Sequence, residues 1–159
     1  MTTSQELRQA VVNLACSENQ STDASKYWQE VLPPNWTGPY PRHWCGAFTL
    51  WDLRIALGCA WYWEVKGILG AEHFGYLYHL PKTTSPDLGD ICYLNAPYQH
   101  HAILTAIGKT PSGSEYVISQ DGNQGLAPGE CLEQWHERSH WSCFYSIESL
   151  IQRALEREQ

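Results

Sequence analysis

The stretch Ser85-Pro86-Asp87-Leu88-Gly89-Asp90 separates two kinds of hydrophobic pattern. Proline, glycine and aspartate at this density specify a turn. Before it, apolar residues recur at helical spacing; after it, they alternate like strands. Upstream, residues 4–16 read as a helix capped by Ser4, with Leu7, Val11, Val12 and Leu14 as its apolar stripe. Residues 26–32 read as a short helix ended by Pro33-Pro34, and residues 35–42, with Gly38, Pro39 and Pro41, must be irregular. From Cys45 to Leu57 the chain is apolar nearly all round, which predicts a buried helix closed by Gly58. Residues 59–80 are aromatic-rich and leave room for one further helix. Downstream, residues 91–94, 100–107 and 115–119 read as strands, with residues 109–114 as the hairpin between the last two. Residues 120–129 form a turn-rich loop, residues 141–145 a last strand, and residues 147–158 an amphipathic terminal helix. Helices followed by an antiparallel meander predict an α+β fold.

The chain has 159 residues, room for one domain, expected to span 1–159. Charged residues are 17% and hydrophobic residues 43%, a globular balance. A net charge of −7 argues against both a nucleic-acid partner and an anionic membrane surface. No window reaches the ~18 apolar residues of a membrane span. The first sixteen residues carry no basic region followed by an apolar one, so synthesis in the cytoplasm without a signal peptide is expected. Six cysteines show no compact disulfide framework, and reduced thiols in the core are the expectation.

Cys45 opens the buried helix. A helix N-terminus carries roughly half a positive charge, which acidifies a thiol, and the Cys45 N–H could hold an oxyanion. An isolated cysteine is more often an inert core residue, so a base must be found. Residues 99–108 supply His100 and His101 at the start of a strand. His100 shares a face with Ala102, Leu104 and Ala106, whose small size would let a helix pack closely, and alternation therefore favours His100 over His101. Residues 119–125 then offer Asp121 and Asn123 to hold the imidazole, although Asp-Gly-Asn is also ordinary turn chemistry. Trp28, Trp36, Trp44, Trp61 and Trp63 are candidate walls of a substrate groove, with core packing as the competing reading.

The order Cys, His, Asp/Asn, with these flanks, resembles the CHAP family and its NlpC-type relatives, bacterial papain-like amidases and peptidases. His43-Trp44-Cys45-Gly46-Ala47-Phe48-Thr49-Leu50-Trp51 is similar to the family's WCAAFVSW helix start. Pro86-Asp87-Leu88-Gly89-Asp90-Ile91 resembles its PGD turn, with Leu88 in place of proline. Gln99 to Gly108 resembles GHVAIVTxVG, with Gln99 in place of glycine, and places the family's histidine on His100. Val117 to Gly125 resembles its E-x-N or GGNQG ending and leaves Asp121 and Asn123 both open as third member. The match covers residues 4–125; residues 58–79 and the tail after 129 match nothing in the pattern. The resemblance implies a papain-like fold with no cofactor and no metal. It implies a Cys45 thiolate that attacks an amide after His100 takes its proton. It implies peptidoglycan stem peptides as substrate, cut at the muramoyl–alanine amide or within the peptide. Without an export signal, such an enzyme would reach the wall or periplasm as a phage lysin or a secreted antibacterial effector, the latter with a cognate inhibitor protein.

Two other readings compete. His136-Glu137-Arg138-Ser139-His140 spells HExxH, which on a helix would bind zinc with Glu137 as base. No convincing third ligand lies nearby, although Glu156 and Glu158 lie downstream, and Cys131 and Cys143 flank the segment as for a structural zinc. Against zinc, Arg138 puts a charge inside the motif, and residues 132–145 alternate like strands as readily as they turn like a helix. The other reading is a catalytically dead papain-like module that binds wall fragments or a protein.

Overall fold

The computed structural model describes residues 1–59 and 80–158. The anticipated further helix in residues 59–80, together with Trp61 and Trp63, lies outside the described residues but for Cys59 and Leu80. Among those described, the fold is α+β: four α-helices and one six-stranded antiparallel sheet.

Helix α1 spans Ser4–Ser17. Thr3, not Ser4, caps it: the Thr3 hydroxyl accepts the Glu6 N–H, and the Glu6 carboxylate accepts the Thr3 N–H. Helix α2, Ala24–Val31, starts earlier than the apolar pattern indicates because Asp23 accepts the Lys26 N–H. Helix α3, Cys45–Leu57, has the anticipated bounds, and Gly58 closes it at φ 65°, the left-handed region where only glycine rests without strain. Helix α4 is Glu148–Arg157.

The strands are β1 (Lys82–Thr83), β2 (Ile91–Leu94), β3 (His100–Lys109), β4 (Glu115–Gln124), β5 (Glu130–Glu137) and β6 (Cys143–Tyr145). Their order across the sheet is β1-β6-β2-β3-β4-β5. Strands β2 to β5 form the meander, and β6 returns to the free edge of β2. The segment read as a loop after residue 119 is strand through Gln124, because β5 pairs with it as far as Gln124 opposite Glu130. Strand β5 carries almost no apolar signal. It lies at the sheet edge, and Glu133, Trp135 and Glu137 all point to solvent.

The two sheet faces bury different clusters. Ile91 and Ile103 pack under α1, α3 and α4 in the main core with Phe48, Leu53 and Ile151. Cys92, Ala102, Leu104 and Val117 pack on the other face with Trp141 and Phe144. The turn at residues 85–90 is bolted to both outer helices. Arg8 donates to Asp90 Oδ1 at 3.0 Å, to the Leu88 carbonyl at 2.8 Å and to Glu148 at 2.8 Å. Asp90 in turn accepts the Ile147 N–H at the start of α4. This network fixes where β2, and hence β3 beside it, begins.

Candidate active site

The first hydrogen bond of α3 runs from the Phe48 N–H to the Trp44 carbonyl, and among the described residues no side chain caps the helix. The N–H groups of Cys45, Gly46 and Ala47 therefore precede the helical ladder and concentrate the positive end of the helix dipole at the sulfur. The helix end is pressed against strand β4. A Cβ on Gly122 would stand 2.8 Å from Phe48 Cβ and 3.0 Å from Trp44 Cζ3. Glycine at 122 is thus what allows the thiol to reach the strand ends.

There Cys45 shares the cleft wall with His100 and lies within the electrostatic influence of both His100 and His101. The residue is only 4% exposed, but it lines a cleft of about 730 Å³ together with His100, Asp121 and Asn123. The sulfur is buried in the wall of an opening, not sealed in the core. Burial acts to raise the thiol's pKa, but the charge of His100 and hydrogen bonds to His100 and His101 outweigh it and hold the group well below its ordinary value. Burial likewise acts to lower His100, but the Cys45 thiolate and the Asp121 carboxylate raise it to about 10. The two opposed shifts favour a thiolate–imidazolium pair over the neutral thiol and imidazole.

Asp121 Oδ2 lies 2.7 Å from His100 Nε2. With Nε2 so occupied, Nδ1 is the ring nitrogen left for the sulfur. Ser119 Oγ donates to the other Asp121 oxygen at 2.5 Å, which fixes the carboxylate in the sheet. Asp121 is therefore the residue that orients the ring. Asn123 adopts φ 59° and lines the cleft, with its side chain turned toward Gly129. Gln124, which sequence reasoning missed, brings its side-chain nitrogen to 3.2 Å from His100 Nε2. Its only signal is its place in the Gly122-Asn123-Gln124-Gly125 run.

His100 is the anticipated histidine, but the reason given by small residues on its face does not hold. Ala102 and Leu104 face Trp141 and Phe144, while α3 covers the opposite, Ile103 face. His100 reaches Cys45 because both stand at the end of the sheet, not because a helix packs over its neighbours. His101, on the α3 face, is wholly buried against Tyr93 at 5.0 Å, and burial lowers its pKa, so it remains neutral.

Two anticipated groove walls are corrected. Trp28 and Trp44 are 0% and 1% exposed and belong to the main core. Trp44 stacks on Tyr27 at 5.4 Å and donates its indole N–H to the Pro128 carbonyl. Trp36 is half-buried and lines a separate apolar pocket of about 490 Å³ with Tyr40; His43 lines both that pocket and the cleft.

The HExxH reading is also corrected. His136 is in strand β5 and His140 in a single 3-10 turn, Arg138–His140, so the two are not one turn apart on a helix. Their rings stack face to face, 3.8 Å apart and 11° from parallel. Nitrogen lone pairs lie in the ring planes, so those of two parallel rings do not converge on one ion at the roughly 2.0–2.1 Å that zinc requires. Among the described residues no group of three or more His, Cys, Asp or Glu is placed to hold a metal.

Comparison with protein-family models, with curated proteins and with solved structures found no match for this chain.

Proposed function

We propose that the chain is a papain-like cysteine hydrolase that cleaves an amide bond of peptidoglycan stem peptides through an acyl-enzyme. One observation carries the reading: Cys45, at an uncapped helix start in a cleft wall, has its thiol held well below its ordinary pKa by His100, whose ring is held by Asp121. A nucleophile, a base and an orienting carboxylate on three successive elements of the site are what acyl transfer requires.

In the proposed reaction the Cys45 thiolate attacks the amide carbonyl carbon, and the carbonyl electron pair moves to oxygen. The N–H groups at the start of α3 face that charge. The tetrahedral intermediate collapses, the C–N bond breaks, and His100 delivers its proton to the leaving amine. Water then gives a proton to His100 and attacks the thioester, releasing a carboxylic acid and restoring the thiolate–imidazolium pair. Asp121 holds the ring in one tautomer and supports its charge throughout.

The wall as substrate rests on the resemblance of four ordered motifs, carried by residues 43–51, 86–91, 99–108 and 117–125. The described residues contain no helix long and apolar enough to cross a membrane. Action in the wall or periplasm, as a phage lysin or as a secreted effector with its own inhibitor protein, belongs to the same proposal.

The test is digestion of purified sacculi and of defined muropeptides under reducing, metal-free conditions, with the fragments read by mass spectrometry. Wild type should release peptide fragments and Cys45→Ala should not. Equal release by both, or none from wild type, overturns the proposal; so does loss of activity on adding a chelator.

A further inference from the structure

The catalytic cleft has a second cluster of imidazoles that the mechanism leaves unused. His136 and His140 line its rim beside Trp141, and Trp141 forms edge-to-face contacts with both rings, at 5.9 and 5.3 Å. Trp141 also stacks with His100 at 6.2 Å and 19°. The indole thus fixes the pair at a set position relative to the catalytic ring. Among the described residues His136 and His140 make ring contacts only, so their nitrogens remain open to a ligand.

We propose that His136 and His140, backed by Trp141, form a subsite that takes a carboxylate of the substrate on one side of the scissile amide. This rests on the hydrolase reading for the amide, but the binding chemistry is the subsite's own. Among the described residues no lysine or arginine lines the cleft, and the one carboxylate there, Asp121, is engaged by His100 and Ser119. An anion entering this wall meets the imidazoles of His136 and His140 and, among the described residues, no unpaired carboxylate. A carboxylate offers two acceptor oxygens, one for each stacked ring, and imidazole N–H groups supply charge-assisted bonds once the anion draws a proton onto the pair.

Among the described residues the ionisable groups around the pair are His43, Cys45, Tyr98, His100 and Asp121 in the cleft, and Glu137 and Arg138 between the two histidines. Arg138 is committed to Glu115 and to the Thr84 carbonyl, which keeps it from competing for the ligand. Burial, followed by the neighbouring His136, holds His140 below its ordinary pKa. An anion must therefore bring a proton with it, and affinity should rise as pH falls.

The test uses the full chain carrying Cys45→Ala, which binds without turnover, and two synthetic stem peptides that differ only in a free carboxylate or its carboxamide. Titration calorimetry should give about tenfold tighter binding of the carboxylate form. His136→Gln and His140→Gln should each remove most of that difference. NMR of the imidazole C–H signals in the otherwise unaltered protein should show both rings shifting with the carboxylate peptide and not with the carboxamide. Equal affinity for the two peptides, binding of neither, or discrimination that survives both substitutions overturns the subsite. Wild type that discriminates but cleaves no wall peptide removes the hydrolase reading and leaves the subsite. Wild type that cleaves both peptides alike does the reverse.

Discussion

Asp121 Oδ2 stands 2.7 Å from His100 Nε2, across the ladder in which Asp121 faces Ala102. The bond joins a strand end to the adjacent strand's interior, so the ring angle is set by sheet register and not by a loop. Replacing Asp121 by Asn keeps the shape and removes the charge. The expected outcome is a fall in kcat on the order of 10²-fold on a wall peptide, with KM little changed. Steady-state kinetics checks it, and circular dichroism should show the fold unaltered.

The thiolate–imidazolium pair exists above the pKa of Cys45, which lies well below its usual value, and below that of His100, raised to about 10. Activity should rise at a pH well below the ordinary thiol range, hold a plateau, and fall near pH 10. The rate of Cys45 alkylation by iodoacetamide should already be high at neutral pH. In His100→Ala the rate should rise only near the ordinary thiol range. An alkylation profile identical in wild type and His100→Ala would mean that His100 does not govern the Cys45 thiol.

The helices and the first strands were legible because their residues carry both period and punctuation. Cys45–Leu57 is bounded by an irregular proline segment and by Gly58, and its bounds follow from the sequence. Strand β5 was only half legible: residues 132–145 alternate like strands, but on a solvated edge that alternation carries little apolar contrast and reads equally as a helix. Losing β5 also hid the end of β4, so Asp121 reads as a turn residue when it is a ladder residue. Cys45 and His100 could be named from local chemistry. That Trp28 and Trp44 are core and that Asp121, not Asn123, reaches the ring depends on contacts between distant segments, which no single window contains.

Gly122 separates α3 from β4 by less than a methyl group allows. Both atoms that a Cβ would meet, Phe48 Cβ and Trp44 Cζ3, belong to fully packed core residues. Gly122→Ala should cost about 1–3 kcal/mol of stability, as overpacking does. It should also move Cys45 off the imidazole, so thiol alkylation at neutral pH should slow. Urea unfolding and the alkylation rate measure the two effects separately.

Arg8 is nearly buried and faces Asp90, whose side chain is also almost fully covered. Removing the guanidinium leaves that buried carboxylate without its counter-charge, held by the Ile147 and Asp87 N–H groups, and frees the Leu88 carbonyl and Glu148. Arg8→Ala should therefore destabilise by about 3–5 kcal/mol, the cost typical of breaking a buried pair from one side. The double variant Arg8→Met with Asp90→Asn should recover part of the loss, because no lone charge then remains inside. Denaturant midpoints of the three proteins decide the matter.

Asp52 lies on α3, fully buried, with neither carboxyl oxygen hydrogen-bonded among the described residues. Burial, with the charge of Glu18 as a smaller contribution, drives its pKa well above the ordinary value. The unfolded chain releases this proton near pH 4, whereas the folded chain retains it until much higher pH. A raised folded pKa means that the group's contribution to stability is complete below the unfolded pKa and is lost as pH rises toward the folded one. Asp52→Asn has the same shape and no such proton. The variant should match wild type near pH 3.5 and gain on it steadily as pH rises through neutrality, which urea midpoints at stepped pH will register. A constant difference between the two proteins across that range would mean that Asp52 ionises inside the fold, with a polar partner that the described residues do not supply.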